Sequence, residues 1–280
     1  MPTASDRSRL ISIVQSRQNA RVRELRAAFA RGGREDSEVI GLEGEHLIGE
    51  ALRSGVRLRT VFVRVGAEPR DRSRVLDRLG LPPGVPVLEL PRAVFDSAVD
   101  TESPQGIAAL AEPPRFSLSE ALAGPQPLVL LTAALQDPGN FGTLIRSAEA
   151  FGARSVVALP GTVHVWNGKV LRASAGSAFR LPVVAEKAVH VFAALAERRI
   201  PVVAAVAESN DPGAIPCSRF DFTAAVAILI GNEGSGLSDE LLERAAERIA
   251  IPMPGPVESL NAGVAASVLL YEAARQRARR

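Results

Sequence analysis

Three polar segments, each placed between an apolar strand-like run and a helix, carry residue types that could do chemistry. They span residues 135–153, 229–240 and 251–261. The polar residues that we single out are Asn140, Arg146, Glu233, Ser259 and Asn261. Glycines in such loops let the backbone approach a ligand closely, and the free N–H groups of a helix start bind small polar groups. Because each segment follows a predicted strand, we expect all three to meet at one edge of a sheet and form one site.

Composition excludes several classes of protein. The 280 residues are 46% hydrophobic and 23% charged, which is typical of a globular protein with room for two domains. No apolar run reaches the roughly 20 residues that span a bilayer, and the polar N-terminus lacks the apolar core of a signal peptide. Cys217 is the only cysteine, and the three histidines lack metal-ligand spacing. We therefore expect a cytoplasmic protein without a metal site or a membrane anchor.

The positive charge is concentrated at the N-terminus. Residues 1–34 contain eight arginines and only two acidic residues, although the net charge of the chain is +2. Arg21, Arg23 and Arg26 lie on a predicted helix over residues 12–31. Guanidinium groups bind phosphates in a forked geometry, so this helix is a candidate RNA-binding surface. An ordinary basic surface helix would have the same composition, and charge alone does not decide between the two.

The distribution of apolar runs predicts two α/β domains. Helices and strands alternate up to residue 112, and a segment rich in proline and glycine, residues 113–127, follows as a linker. Residues 128–280 contain longer apolar runs between helices, which is the pattern of a mostly parallel sheet covered on both faces. The glycine-rich fingerprint of dinucleotide-binding proteins is absent, which disfavours a dehydrogenase.

The three polar segments resemble the signature motifs of the SpoU family of RNA 2'-O-ribose methyltransferases, in the SPOUT class. Asn140 and Arg146 have the spacing of the first motif, the run Asn-Glu-Gly-x-Gly-Leu-Ser matches the second, and Ile-Pro-Met-x-Gly followed by Ser-Leu-Asn matches the third. The resemblance extends over nearly the whole chain. Further matching segments are residues 42–46, 101–107 and 170–177.

The resemblance implies a fold, a cofactor and partners. The expected fold is a small N-terminal α/β RNA-binding domain followed by a SPOUT domain with a parallel sheet and a C-terminal trefoil knot. The expected cofactor is S-adenosylmethionine, and the protein is expected to be a homodimer. The extra N-terminal domain favours ribosomal RNA, 23S rRNA in particular, over transfer RNA as the substrate. The expected cofactor-binding residues are Ile230, Gly231, Glu233, Ile251, Met253, Leu260 and Ala265.

The resemblance also implies that the five polar residues of the three segments are catalytic. The family's proposed general base corresponds to Arg146, but a guanidinium group effectively never loses its proton in a protein. We therefore expect Arg146 to orient the 2'-OH and stabilise a developing alkoxide, with Glu233 as one possible proton acceptor. Helix capping is the ordinary alternative for Asn140 and Asn261. A catalytically inactive RNA-binding homologue remains an alternative function; an unrelated nucleotide-binding enzyme is disfavoured by the missing P-loop.

Overall fold

The computed structural model of this chain describes residues 11–30, 38–65, 75–209, 211–232 and 234–278. The chain divides into two compact units. The first comprises Met1–Pro114 and Trp166–Gly168, and the second comprises Arg115–Val165 and Lys169–Arg280. None of the helices within the described residues is both long enough and apolar enough to cross a bilayer.

The first unit is built on a mixed sheet. Its described strands are β1 (Ile11–Ile13), β2 (Ile40–Glu43), β3 (Leu58–Arg64), β4 (Val87–Leu90) and β5 (Ile107–Ala111). They lie in the order β1-β4-β3-β5-β2, with β4 parallel to both of its neighbours and β5 antiparallel to both of its own. The described helices are α1 (Ala20–Ala30), α2 (Glu45–Arg53), α3 (75–78) and α4 (Arg92–Phe95).

The predicted helix over residues 12–31 is wrong in its first half. Ile11–Ile13 forms a strand that pairs in parallel with β4, where Ile11 lies opposite Val87. The helix starts only after Asn19, whose side chain accepts a hydrogen bond from the backbone N–H of Arg21 at 2.9 Å. The β-branched residues before Asn19 gain more from pairing with β4 than from one further helical turn.

A buried carboxylate joins two segments of the first unit that matched the family. Glu43, at the end of β2, accepts a hydrogen bond from the Thr101 hydroxyl at 2.8 Å and another from the Gln105 backbone N–H at 3.1 Å. The Gly44 backbone N–H donates to the Ile107 carbonyl at 3.0 Å. These bonds satisfy a charge that would otherwise be costly to bury, so the role of Glu43 visible in the structure is to hold the segments around residues 43 and 105 together.

The second unit contains a longer sheet. Its described strands are β6 (Leu128–Thr132), β7 (Ser155–Ala158), β8 (Val183–Ala185), β9 (Val202–Val206), β10 (Ile215–Pro216), β11 (Val226–Ile230) and β12 (Glu247–Ala250). Its described helices are α5 (Leu118–Ala121), α6 (Pro138–Ala150), α7 (Gly168–Ser174), α8 (Ala188–Glu197), α9 (Asp239–Glu243) and α10 (Ala262–Arg277). The strands lie in the order β10-β12-β9-β11-β6-β7-β8, and each described pair of neighbouring strands is parallel.

Parallel strands place their carboxyl ends at one edge of the sheet. Strands β12, β9, β11 and β6 lie side by side in this order, so the segments that follow them all begin at the same edge. The strands are held in place by a core in which Val129 and Leu131 of β6 and Leu229 of β11 are buried with Val191 and Leu195 of α8. The strands that carry the polar segments at their carboxyl ends are therefore anchored in a well-packed core.

Candidate active site

A cavity of about 420 Å³ lies at the carboxyl edge of this sheet. Its wall combines the end of β9, the glycine turn after β11, the loop after β12 and the first turns of α10. All described residues that the resemblance assigned to the cofactor line this cavity, and so does Ser259. The six cofactor candidates are Ile230, Gly231, Ile251, Met253, Leu260 and Ala265. Glu233, assigned both to the cofactor and to catalysis, lies outside the described residues.

The glycine turn is closed by its own hydrogen bonds. The Asn232 side-chain oxygen accepts from the backbone N–H groups of Gly234 at 2.9 Å and Ser235 at 2.8 Å. A side chain on Gly231 would overlap the carbonyl group of Gly236, so the turn tolerates only glycine there. Asn232 was not among the predicted site residues. Its position directly before a glycine-rich stretch is the sequence signal for such a side-chain-stabilised turn.

Asn140 and Asn261 meet, although 121 positions separate them in sequence. The Asn261 side-chain amide donates to the Asn140 side-chain oxygen at 3.0 Å. The Asn261 oxygen in turn caps α10 by accepting from the backbone N–H groups of Gly263 at 3.0 Å and Val264 at 3.3 Å. The capping alternative is thus confirmed for Asn261, which also binds Asn140. It is wrong for Asn140, because Asp137 caps α6 by accepting from the Asn140 N–H at 2.7 Å.

Arg146 lies on α6, one to two turns beyond Asn140, and its side chain is exposed. Within the part of the chain that the structure describes, the Arg146 side chain makes no hydrogen bond or ion pair. The helix itself is held firmly, since the hydroxyl groups of Ser147 and Ser267 are 2.7 Å apart and join α6 to α10. On another side, a side chain on Gly142 would lie 2.7 Å from the Val170 carbonyl oxygen of α7. Arg146 is therefore an exposed charge on a fixed helix, available to an anionic ligand.

The three segments do not contribute to the cavity equally. Ser259 lines it, and Asn261 stands between two lining residues, Leu260 and Ala262. Asn140 and Arg146 lie outside the described lining, and Asn140 is connected to it through its bond with Asn261. This arrangement places the polar area formed by Asn140 and Arg146 beside the cavity and outside its lining.

The cavity suits S-adenosylmethionine. Its volume falls within the roughly 300–1,000 Å³ of small-molecule pockets. Ile230, Met253 and Leu260 offer apolar contacts for an adenine ring, and the backbone of the glycine turn offers hydrogen bonds without added charge. When bound there, the cofactor supplies a methyl group already activated by its positive sulfur. The residues of this chain then have to hold it, exclude water and align the oxygen that attacks.

The three arginines predicted to bind RNA have different surroundings in the first unit. Arg23 is exposed, and its side chain makes no hydrogen bond or ion pair within the described ranges. Arg21 is exposed and pairs with Glu24 at 2.9 Å. Arg26 is half-buried and donates to the Ser97 carbonyl at 3.0 Å, which fastens α1 to the turn after α4. Among the three, the Arg23 guanidinium group can reach a phosphate without giving up a contact, Arg21 has to share its guanidinium group with Glu24, and Arg26 has to give up its bond to Ser97.

No cluster of three His, Cys, Asp or Glu side chains that could hold a metal ion occurs within the described ranges. His190 is exposed on α8 and bonds to Glu186 at 2.9 Å. The backbone N–H of Lys187 and the His190 side chain lower the pKa of Glu186 below its ordinary value. Their contacts place both residues in a surface pair at the start of α8.

Known proteins share both units of this chain. A model described as the SpoU rRNA Methylase family matches residues 127–271, and one described as an MRM3-like substrate binding domain matches residues 19–109. The 23S rRNA (guanosine(2553)-2'-O)-methyltransferase RlmP of Bacillus subtilis is 34% identical over 259 residues, which cover 92% of this chain and 97% of that protein.

Solved structures with bound cofactor agree with this likeness. The AdoMet-bound rRNA methyltransferase from Sinorhizobium meliloti has a TM-score of 0.79 at 27% identity, covering 95% of this chain and 98% of that one. The SpoU methyltransferase AviRb from Streptomyces viridochromogenes, in complex with AdoMet, has a TM-score of 0.79 at 29% identity, covering 93% and 99%. The predicted α/β fold class with a parallel sheet, the cofactor S-adenosylmethionine and methyltransferase activity are confirmed. From its motifs, its site and these matches, the chain belongs to the SpoU rRNA methylase family.

Proposed function

We propose that this enzyme transfers the methyl group of S-adenosylmethionine to a ribose 2'-OH of 23S ribosomal RNA. The observation that carries the proposal is the cavity. All described cofactor-binding candidates line it, and the bond between Asn261 and Asn140 connects it to helix α6. The Bacillus subtilis relative matches nearly the whole chain, and its name, a 23S rRNA methyltransferase, supports 23S rRNA as the substrate.

The proposed roles follow from position. Arg146 binds the RNA phosphate next to the reacting ribose, and its positive guanidinium group stabilises negative charge that develops on the 2'-oxygen. Asn140, Asn261 and Ser259 orient the 2'-OH at the edge of the cavity. Glu233 accepts the proton, or positions the group that does so. In this scheme the fixed amides and the serine supply alignment, and the arginine supplies charge stabilisation.

We extend the proposal to the domains. Residues 1–112 bind the RNA substrate, residues 113–127 form a linker and residues 128–280 form the catalytic domain. The match of residues 19–109 to a substrate-binding domain supports the first assignment. Arg21 and Arg23 are the stronger candidates for phosphate contacts, because Arg26 is engaged with Ser97. Replacing Arg21 and Arg23 by glutamine is expected to reduce the slope of log affinity for RNA against log salt concentration by about one to two, which corresponds to the loss of one to two phosphate contacts. An unchanged slope would exclude these two arginines from the RNA-binding surface.

We also propose that the enzyme is a homodimer that uses α10 as an interface. Val264, Val268 and Tyr271 recur at intervals of four and three residues along α10 and are 48%, 37% and 55% exposed. Phe151 packs edge-on against Tyr271, with ring centroids 5.9 Å apart, and extends this apolar face. Val268→Glu is expected to yield monomers in analytical ultracentrifugation, whereas Val189→Glu, at a more exposed valine of α8, is the control that leaves dimers intact.

Two further features complete the proposal. The C-terminal segment forms a trefoil knot, and the enzyme acts in the cytoplasm on ribosomal RNA. The chain path supports the knot: β11 lies between β6 and β9, and after β12, on the far side of β9, the chain returns to pack α10 against α6.

The RNA class is tested by supplying labelled cofactor with equal amounts of unmodified 23S rRNA, 16S rRNA and transfer RNA. The proposal expects label in 23S rRNA alone. Label confined to transfer RNA would identify the enzyme as a transfer RNA methyltransferase. Cofactor binding in a calorimeter without transfer to any RNA, including intact ribosomal particles, would favour an inactive RNA-binding homologue.

A further inference from the structure

The segment between β9 and β10 contributes a wall of the cavity that none of the three family-like motifs includes. We call its residues 207–209 and 211–214 the strap. Ala207, Ser209 and Asp211 of the strap line the cavity. The Ser209 hydroxyl donates to the Glu258 carbonyl oxygen of the loop after β12, at 3.4 Å. The strap is thus attached to an element that carries part of the predicted cofactor site.

Asp211 is the most firmly held acidic side chain of this wall. One carboxylate oxygen accepts from the Arg248 guanidinium at 3.0 Å, and the other accepts from the Gly213 backbone N–H at 3.1 Å. The side chain is 23% exposed, whereas that of its partner Arg248 is 46% exposed. Each carboxylate oxygen can accept a second hydrogen bond, so Asp211 presents two oriented acceptor sites that these contacts leave open.

The charge of the wall indicates which kind of hydrogen-bond donor Asp211 would bind. Arg248 also lines the cavity, so the ion pair is neutral as a whole and a cationic group placed there would meet a guanidinium. Neutral hydroxyl donors suit such a pair better than an ammonium or sulfonium group. The ribose of S-adenosylmethionine carries two adjacent hydroxyls and is bonded to the adenine, for which Ile251 and Met253 provide apolar contacts.

We propose that Asp211 binds the ribose hydroxyls of S-adenosylmethionine and that Arg248 is a positioning residue that fixes the Asp211 carboxylate. The inference rests on the proposed function in one respect, the placement of the cofactor in this cavity. A carboxylate that accepts from ribose hydroxyls is the arrangement that dinucleotide-binding folds also use. Here it comes from a strap outside the glycine turn and the proline-rich loop, so the cofactor is held from a third side.

The test measures the dissociation constant of S-adenosylhomocysteine and of its 2'-deoxy and 3'-deoxy ribose analogues by calorimetry. For the wild-type protein, loss of a hydroxyl bound by a carboxylate is expected to weaken binding about tenfold or more. Asp211→Ala should weaken the binding of S-adenosylhomocysteine by a similar factor. This variant should bind the deoxy analogues as well as it binds S-adenosylhomocysteine. Arg248→Met should weaken binding less and still prefer the intact ribose, because the carboxylate remains.

Glu258→Gln is the matched control, since Glu258 is the other described carboxylate of the cavity wall and this variant should keep the full preference for the intact ribose. Two results would overturn the inference: a wild-type protein that does not distinguish the deoxy analogues, or an Asp211→Ala variant that still distinguishes them as the wild type does. Failure of the wild-type protein to bind S-adenosylhomocysteine at all would instead refute the proposed cofactor site. Melting temperatures of all variants confirm that folded protein is compared.

Discussion

Asn261 performs two tasks that different substitutions can separate. Its side-chain oxygen caps α10, and its amide nitrogen donates to Asn140. Asn261→Ala removes both functions. Asn261→Asp keeps an oxygen that caps the helix and places a favourable negative charge at its N-terminus, but it cannot donate to Asn140. Comparing Asn261→Asp with the wild type therefore isolates the contribution of the Asn140–Asn261 bond, and comparing the two variants isolates the contribution of the cap.

The expected loss of stability follows from these contacts. Removing an N-cap costs about 1 kcal/mol, and an exposed hydrogen bond between amides contributes about 0.5 kcal/mol. For a protein of this size, Asn261→Ala should therefore lower the melting temperature by roughly 3–6 °C. Asn261→Asp should change it by no more than about 2 °C, because the cap persists. Both variants should lower the rate of methyl transfer at least about tenfold, since Asn140 loses the bond that orients it.

The assay combines scanning calorimetry with single-turnover transfer of labelled methyl to RNA. Ser117→Ala is the matched control, because Ser117 caps α5 in a reciprocal bond with Glu120 and does not line the cavity. This control should lose a similar amount of stability and keep the wild-type rate of transfer. A wild-type rate in Asn261→Asp would refute the reasoning, since it would show that the bond between Asn261 and Asn140 has no role in the reaction.

Three further predictions concern other parts of the chain. Gly231→Ala should abolish binding of S-adenosylhomocysteine in calorimetry, because the added methyl overlaps Gly236 and forces the turn open; wild-type affinity would show that the turn adapts. Glu43→Ala should lower the free energy of unfolding of the first unit by about 1–3 kcal/mol in urea titration, since Thr101 and Gln105 lose their acceptor; an unchanged midpoint would contradict this. Cys217 should react with a thiol reagent far more slowly at pH 8 than a free cysteine, because burial, with the nearby Glu272 charge, raises its pKa and keeps it protonated; fast labelling of folded protein would disprove this.

The sequence is most informative where pattern and chemistry coincide. The apolar runs of β6 and β11 and the glycine and proline segments after β11 and β12 predict buried strands that lead into loops at one edge. The parallel sheet, with β6, β9, β11 and β12 adjacent, has this arrangement. The predicted cofactor residues within the described ranges do line one cavity, and their binding role stays a prediction.

Tertiary contacts account for what the sequence could not reveal. The strand at Ile11–Ile13 depends on pairing with β4, some 75 residues later, which no local pattern encodes. The bond between Asn140 and Asn261 and the ion pair between Asp211 and Arg248 likewise arise only when distant segments meet. Local reasoning also could not show that Arg26 is engaged with Ser97 while Arg23 is available to a ligand.

The central claim is tested most directly by the chemical position of the transferred methyl group. Unmodified 23S rRNA is incubated with the enzyme and labelled S-adenosylmethionine and then hydrolysed in alkali, which requires a free 2'-OH for cleavage. The proposed function predicts label in an alkali-resistant dinucleotide for the wild type. Arg146→Ala should give no label there, although its affinity for S-adenosylhomocysteine is unchanged. Label recovered in ordinary mononucleotides would contradict it, because the methyl group would then be on a base.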